Sequence, residues 1–146
     1  MVVKAIPDEY NRVQPYLVVN GAAGVVNFMK ATFDAQERGR MPGPNGAIGH
    51  AEMLIGDSVV MLADARPGDA PMPATVVVYV EDCDATYKKA LVAGGTSEQE
   101  PADQFYGDRS AGVRDAAGNR WWIHTHIEDV SPEEMEKRAA AAMPSA

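Results

Sequence analysis

The sequence predicts an α+β protein in which a βαβββ unit occurs twice in tandem, the curved mixed sheets of the two units surrounding a cavity, with one more helix at the C-terminus. Three observations carry that expectation. Short β-branched runs and a stretch of helical periodicity follow one another as β, α, β, β, β, and the order starts again after a Pro- and Gly-rich linker at 66–73. Superposing the halves puts Gln14 on Thr75, Val19 on Val80 and Met61 on Trp122, a constant offset of 61 residues (122 − 61). Neither half alone has the residues to close a core of this size, so the halves are expected to pack side by side.

Taken in order, Val13 to Val19 reads as the first strand and Asn20 stands where an N-cap would. Ala22, Val25, Val26, Met29 and Phe33 then recur at the spacing of a helix with one buried face. Gln36 to Met41, His50 to Ile55 and Ser58 to Asp64 are strands parted by turn-rich Pro42 to Gly46 and by Gly56-Asp57. In the second unit, Thr75 to Val80 is a strand and Asp82 caps a helix whose apolar positions Cys83, Tyr87, Ala90 and Leu91 share a face. Gly94-Gly95 ends that helix. Thr96 to Glu100, Arg109 to Asp115 and Asn119 to His126 are extended. Ser131, Pro132 and Glu134 form a capping box that opens a helix at about 131–143. The whole chain, 1–146, reads as one domain, with module one at about 11–65 and module two at about 73–127.

Charge narrows the partners. Thirteen Lys and Arg against 21 Asp and Glu give a net charge of −8 and a pI near 4.8, which opposes approach to nucleic acid and anionic membranes. The single cysteine, Cys83, offers no internal disulfide or zinc ribbon, so a reducing cytoplasm is expected. The N-terminal residues show no cleavable leader pattern, and no apolar run approaches the length of a membrane span. Neither GxGxxG nor a P-loop is present, so no nucleotide cofactor is expected.

Five words occur in order on the expected elements: Val13-Gln14-Pro15-Tyr16-Leu17-Val18-Val19, Gly49-His50-Ala51-Glu52, Ile55 to Asp64, Asp103 to Arg109, and Thr125-His126-Ile127-Glu128-Asp129-Val130. With the paired βαβββ order they resemble the vicinal oxygen chelate superfamily, the glyoxalase, bleomycin-resistance and extradiol dioxygenase group, and within it the PhnB-like branch. The resemblance implies that group's fold. It leaves the activity open, because this fold hosts isomerases, dioxygenases, thiol transferases and drug binders alike.

Catalytic members take a metal from the first and last strand of each module, and the resemblance places those four positions at Gln14, Met61, Thr75 and Trp122. None is His, Asp or Glu, so the family metal is not expected. Slipping a strand by one residue does not restore it, since the neighbours are Val13, Pro15, Val60, Leu62, Ala74, Val76, Trp121 and Ile123. A displaced divalent site remains an alternative: His50 and Glu52 share one strand face, and His124 and His126 share another.

By the family register, Gln14, Tyr16 and Val18, Thr75, Val77 and Tyr79, and Trp122 and His124 line the cavity. Gln14, Tyr16, Met61, Thr75, Tyr79, Tyr106, Trp122 and His124 are then the ligand-binding candidates, a surface suited to a planar ring. Trp121 must point the other way and pack under a helix. Tyr106 sits in a binding-loop position, whereas Arg109 is read as pairing with a nearby carboxylate. Glu52 is either functional, satisfied by Arg114 or His50, or outward facing. The expectation is a cytoplasmic homodimer holding a planar or aromatic organic ligand without a metal, as bleomycin-resistance-type proteins do. The alternative is a lyase, isomerase or dioxygenase-like enzyme using His50, Glu52 and His124.

Overall fold

The computed structural model describes residues 2–143. Its elements are β1 (Tyr16–Val19), α1 (Ala22–Phe33), β2 (Gln36–Pro42), β3 (Ile48–Ile55), β4 (Ser58–Asp64), β5 (Thr75–Tyr79), α2 (Cys83–Val92), β6 (Thr96–Asp103), β7 (Asp108–Arg114), β8 (Arg120–His126) and α3 (Pro132–Ala142). They form two four-stranded mixed sheets of the same topology, β1-β4-β3-β2 and β5-β8-β7-β6. In each sheet the first and last strands run parallel, with Tyr16 beside Met61 and Val77 beside Trp122. The offset of 61 residues between the halves is therefore also the offset of the two sheets (77 − 16).

β1 is shorter than expected because Pro15 has no N–H for a ladder. Its carbonyl still accepts from Met61 N at 2.9 Å, while Val13 stands in solvent. Asn20 does not cap α1. The N-cap is Gly21, in the left-handed region at φ 83°, and the capping acceptor comes from β4 instead. Asp64 Oδ1 takes the N–H groups of Gly21 and Ala22 at 2.9 Å each, and Oδ2 takes Ile48 N at 2.8 Å. One carboxylate thus joins the start of α1, the start of β3 and the end of β4.

α2 follows expectation at both ends: Asp82 Oδ1 accepts from Ala85 N, and Gly94 turns the chain out at φ 99°. Its buried face differs, since Thr86 is buried with Cys83 and Ala90, whereas Leu91 is exposed. In α1, Phe28 and Thr32 join the predicted buried positions. Ser131 Oγ caps α3, accepting from Glu134 N at 3.2 Å, but the box does not close. The Glu134 carboxylate accepts from Arg138, whose guanidinium also makes two bonds to Glu128 and one to the Phe105 carbonyl.

The core is shared. α1 packs on α2, and Phe28 and Phe33 of α1 reach Trp121 of β8, which is fully buried. Leu17, Val19, Ala51, Met53 and Leu62 from the first sheet meet the same apolar cluster as Val78, Ala111, Val113 and Ile123 from the second. Beneath β8, Asp115 accepts from Asn119 and from Trp121 Nε1, and Asn119 Oδ1 receives Ala74 N, which fixes the start of β5.

Burial alone would raise the Asp64 pKa, yet its three backbone donors outweigh that and hold it below the usual carboxylate range. Asp64→Asn, which keeps one acceptor and loses the other, is expected to lower stability by about 1–3 kcal/mol in urea unfolding at neutral pH. An unchanged midpoint would contradict the capping role.

Candidate functional site

Strand alternation sends half of each sheet toward the helices and half away from them. On β8, Trp121 and Ile123 are buried in the core, and Trp122 and His124 point outward. The outward face of module one carries Tyr16, His50, Glu52 and Met61; that of module two carries Thr75, Val77, Tyr79, Asp108, Trp122 and His124. Within one chain these faces are unusually open for such residues: Tyr16 is 46% exposed, Val77 54% and Tyr79 63%. Between the modules lies a cleft of about 630 Å³, lined by Val13, Phe33, Ile55 and Val60 on one side and by β5 on the other.

Module one organises its polar groups as a chain. Glu52 Oε1 accepts from the Tyr10 hydroxyl at 2.5 Å, and Oε2 lies 3.0 Å from His50 Nε2. His50 Nδ1 is 3.0 Å from the Tyr16 hydroxyl. The Tyr10 and His50 hydrogen bonds hold the Glu52 carboxyl below its ordinary value. With Glu52 ionised and accepting at Oε2, His50 donates through Nε2 and its Nδ1 accepts the hydrogen bond of the Tyr16 hydroxyl. Tyr10, which no sequence pattern marked, brings the segment before β1 across this face. Arg38 lies over the Tyr10 ring at 4.7 Å and donates to the Glu9 carbonyl. Under that segment is a cleft of about 510 Å³ lined in part by Gln14, Glu52 and Met61. The buried Gln14 Oε1 has no partner there. Arg114, one expected partner of Glu52, pairs with Glu98 instead.

Module two gathers its polar groups on one buried carboxylate. Asp108, 3% exposed, accepts from the Tyr79 hydroxyl at 2.6 Å and meets His124 Nδ1 at 3.0 Å, both on Oδ2, while Oδ1 meets His126 Nδ1 at 2.8 Å. His126 Nε2 reaches Asp129 at 2.7 Å, and its pKa is raised by Asp129 first and Asp108 second. Burial would push Asp108 up, but the three side-chain hydrogen bonds outweigh it and bring the carboxyl down to about 2. The Tyr106 ring stacks on His124 at 6.1 Å and 25°. Gly107, at φ 95°, lets that loop lie against the Glu128 backbone, which a side chain would strike.

Trp122 lies flat over Gly112, where an added Cβ would fall 2.5 Å from the indole, and the Arg120 guanidinium sits above it at 5.4 Å. Arg109 pairs with Asp84 and Asp103. Cys83 is buried, donates to the Ile123 carbonyl and has its thiol pushed up to about 11 by burial. It is a core residue with little thiolate character.

The donor set does not fit the family metal. Gln14, Met61, Thr75 and Trp122 offer no imidazole or carboxylate, and among the described residues no group of three His, Cys, Asp or Glu is arranged to hold an ion. His50 and Glu52 lie on one sheet and His124 on the other, each engaged with its own partners. No helix among the described residues is long and apolar enough to cross a membrane.

Two tandem βαβββ sheets of this register define the class, and residues 10–123 match the model of the Glyoxalase/Bleomycin resistance protein/Dioxygenase superfamily, to which this chain belongs. It is 37% identical over 133 residues to the uncharacterized protein Mb0911c of Mycobacterium bovis, covering 84% of this chain and 88% of that one. The uncharacterized protein Rv0887c of Mycobacterium tuberculosis is similar at the same identity, with 78% of its length covered. Among solved structures, TioX from Micromonospora sp. ML1 has a TM-score of 0.67 at 23% identity, covering 80% of this chain and 99% of TioX. A glyoxalase/bleomycin resistance protein/dioxygenase from Nocardioides has a TM-score of 0.61 at 19% identity, covering 90% and 91%. These structures share the fold.

Because the folded-state pKa of Asp108 lies below the unfolded one, its contribution to stability, about 2 kcal/mol, is present above about pH 4 and is lost as pH falls toward 2. Asp108→Asn is expected to flatten the fall in unfolding free energy between about pH 5 and about pH 2 by that amount. A wild-type slope in the variant would contradict the assignment.

Proposed function

We propose that this protein is a metal-free small-molecule binder of the glyoxalase and bleomycin-resistance type, holding a planar or aromatic organic molecule and so sequestering a drug or metabolite. One observation carries the reading. At the positions where metal-dependent relatives place ligands, the chain presents Gln14, Met61, Thr75 and Trp122, set among Tyr16, Val77 and Tyr79 of the open sheet faces, with Tyr106 in the loop before β7. Those faces turn away from one shared core, and a second copy of the chain is what would set a first-module face against a second-module face. A homodimer closing two such cavities covers the exposed Tyr16, Val77 and Tyr79. The five sequence words support the PhnB-like branch. The single buried thiol and the charge of −8 support a cytoplasmic protein without nucleic-acid or membrane partners.

A second reading, a lyase, isomerase or dioxygenase-like enzyme, draws on the hydrogen-bonded run Glu52, His50, Tyr16. In that reading His50 and Glu52 of one copy work against His124 of the other, with or without a divalent ion.

Native mass spectrometry of protein purified without chelators or a His-tag, compared with the denatured sample, separates the two. A dimer free of stoichiometric metal, releasing an organic adduct on denaturation, is the expected result. One divalent ion per subunit would overturn the metal-free reading and favour the enzyme.

A further inference from the structure

We propose that Asp108 and His124 form a proton-accepting dyad that selects a planar ligand bearing a weakly acidic hydroxyl, a phenol or an enol. The proposal rests on the aromatic-ligand reading above and goes further by naming the ligand's chemistry.

The chain has three histidines, and their nitrogens are not equally engaged. His50 is held at both, by Tyr16 at Nδ1 and by Glu52 at Nε2. His126 is held at both by carboxylates, Asp108 and Asp129. His124 is tied only at Nδ1, to Asp108, and its Nε2 has no hydrogen-bond partner among the described residues. Asp108 accepts and cannot donate when ionised, so in neutral His124 the proton lies on Nδ1 and the lone pair on Nε2. Burial of the carboxylate on a strand, with Tyr79 and His126 as its other donors, fixes that tautomer.

The surroundings suit a ring with an O–H rather than a fixed anion. Tyr79 from β5, Asp108 and Ser110 from β7, Tyr106 from the preceding loop and His126 along β8 are the polar and titratable groups around the imidazole. Two of these are phenol rings that border His124, which itself is 12% exposed. A carboxylate ligand would meet Asp108 and a chain of charge −8. A neutral phenol meets neither penalty on arrival. Its O–H bond then breaks, the proton forms a bond to Nε2, and the imidazolium stands between the Asp108 carboxylate and the new phenolate. Charge and atoms balance without another reactant. His124 touches the ligand; Asp108 acts through it as a positioning residue.

The test uses the full-length protein with para-nitrophenol, whose phenolate absorbs visible light, and its methyl ether, para-nitroanisole, which has no proton to give. Near pH 6 the phenol is expected to bind on the order of tenfold more tightly than the ether, with its bound spectrum that of the phenolate. His124→Phe should abolish that preference, so that the two probes bind alike. Asp108→Asn should keep the bound phenol protonated, because an amide donating to Nδ1 moves the imidazole proton to Nε2. If Asp108→Asn does not fold, His124→Phe and His124→Gln decide the matter. Equal binding of both probes, with a neutral-phenol spectrum in the wild type, overturns the dyad and leaves the aromatic reading standing. Binding of neither probe overturns both.

Discussion

A β-sheet has two faces, and among the described residues α1 and α2 pack on one face of each sheet. α1 and α2 fill the space that the inner faces share, with Trp121, Leu17, Leu62 and Ile123 wholly removed from solvent. Because side chains alternate along a strand, burying Trp121 forces Trp122 and His124 to the other side. The same rule at β1 and β5 turns Tyr16 and Tyr79 outward. The open faces are therefore a consequence of the core, and they leave Tyr16, Val77 and Tyr79 exposed on the single chain.

What occupies those faces differs between the modules although the residue types match. Each has a tyrosine, a histidine and a carboxylate within hydrogen-bond reach. In module one they are arranged in series, so His50 has no free nitrogen and the run ends at the Tyr16 oxygen. In module two they converge in parallel on Asp108, which leaves His124 with one nitrogen open. The difference comes from placement in the sheet. Glu52 lies beside Met61 near the middle of its face, whereas Asp108 opens β7 opposite His126. A repeated frame thus carries two unlike polar arrangements, which the proposed dimer would bring to one cavity.

Most of the frame was legible in the sequence because it is written in local patterns: the 61-residue repeat, the helix faces, the Asp82 cap and the opposite directions of Trp121 and Trp122. Long-range partners were not. Asp64 caps α1 from the far end of β4, so the adjacent Asn20 looked like the cap when it was not. Tyr10 lies outside the repeat and carries no periodic signal, yet it holds Glu52. Asp108 could have been placed on the His124 face by alternation, but only the antiparallel register of β7 and β8 puts it against both histidines.

The central claim is that a first-module face and a second-module face from different copies complete one site. Subunit mixing tests it most directly. One variant carries Tyr16→Ala with Met61→Ala, and the other carries Trp122→Ala with His124→Phe. Neither should bind para-nitroanisole alone. Refolded together at equal amounts, half the dimers are mixed and each mixed dimer holds one intact site, so about a quarter of wild-type binding capacity should return. No recovery on mixing, with both variants folded and dimeric, would contradict the account.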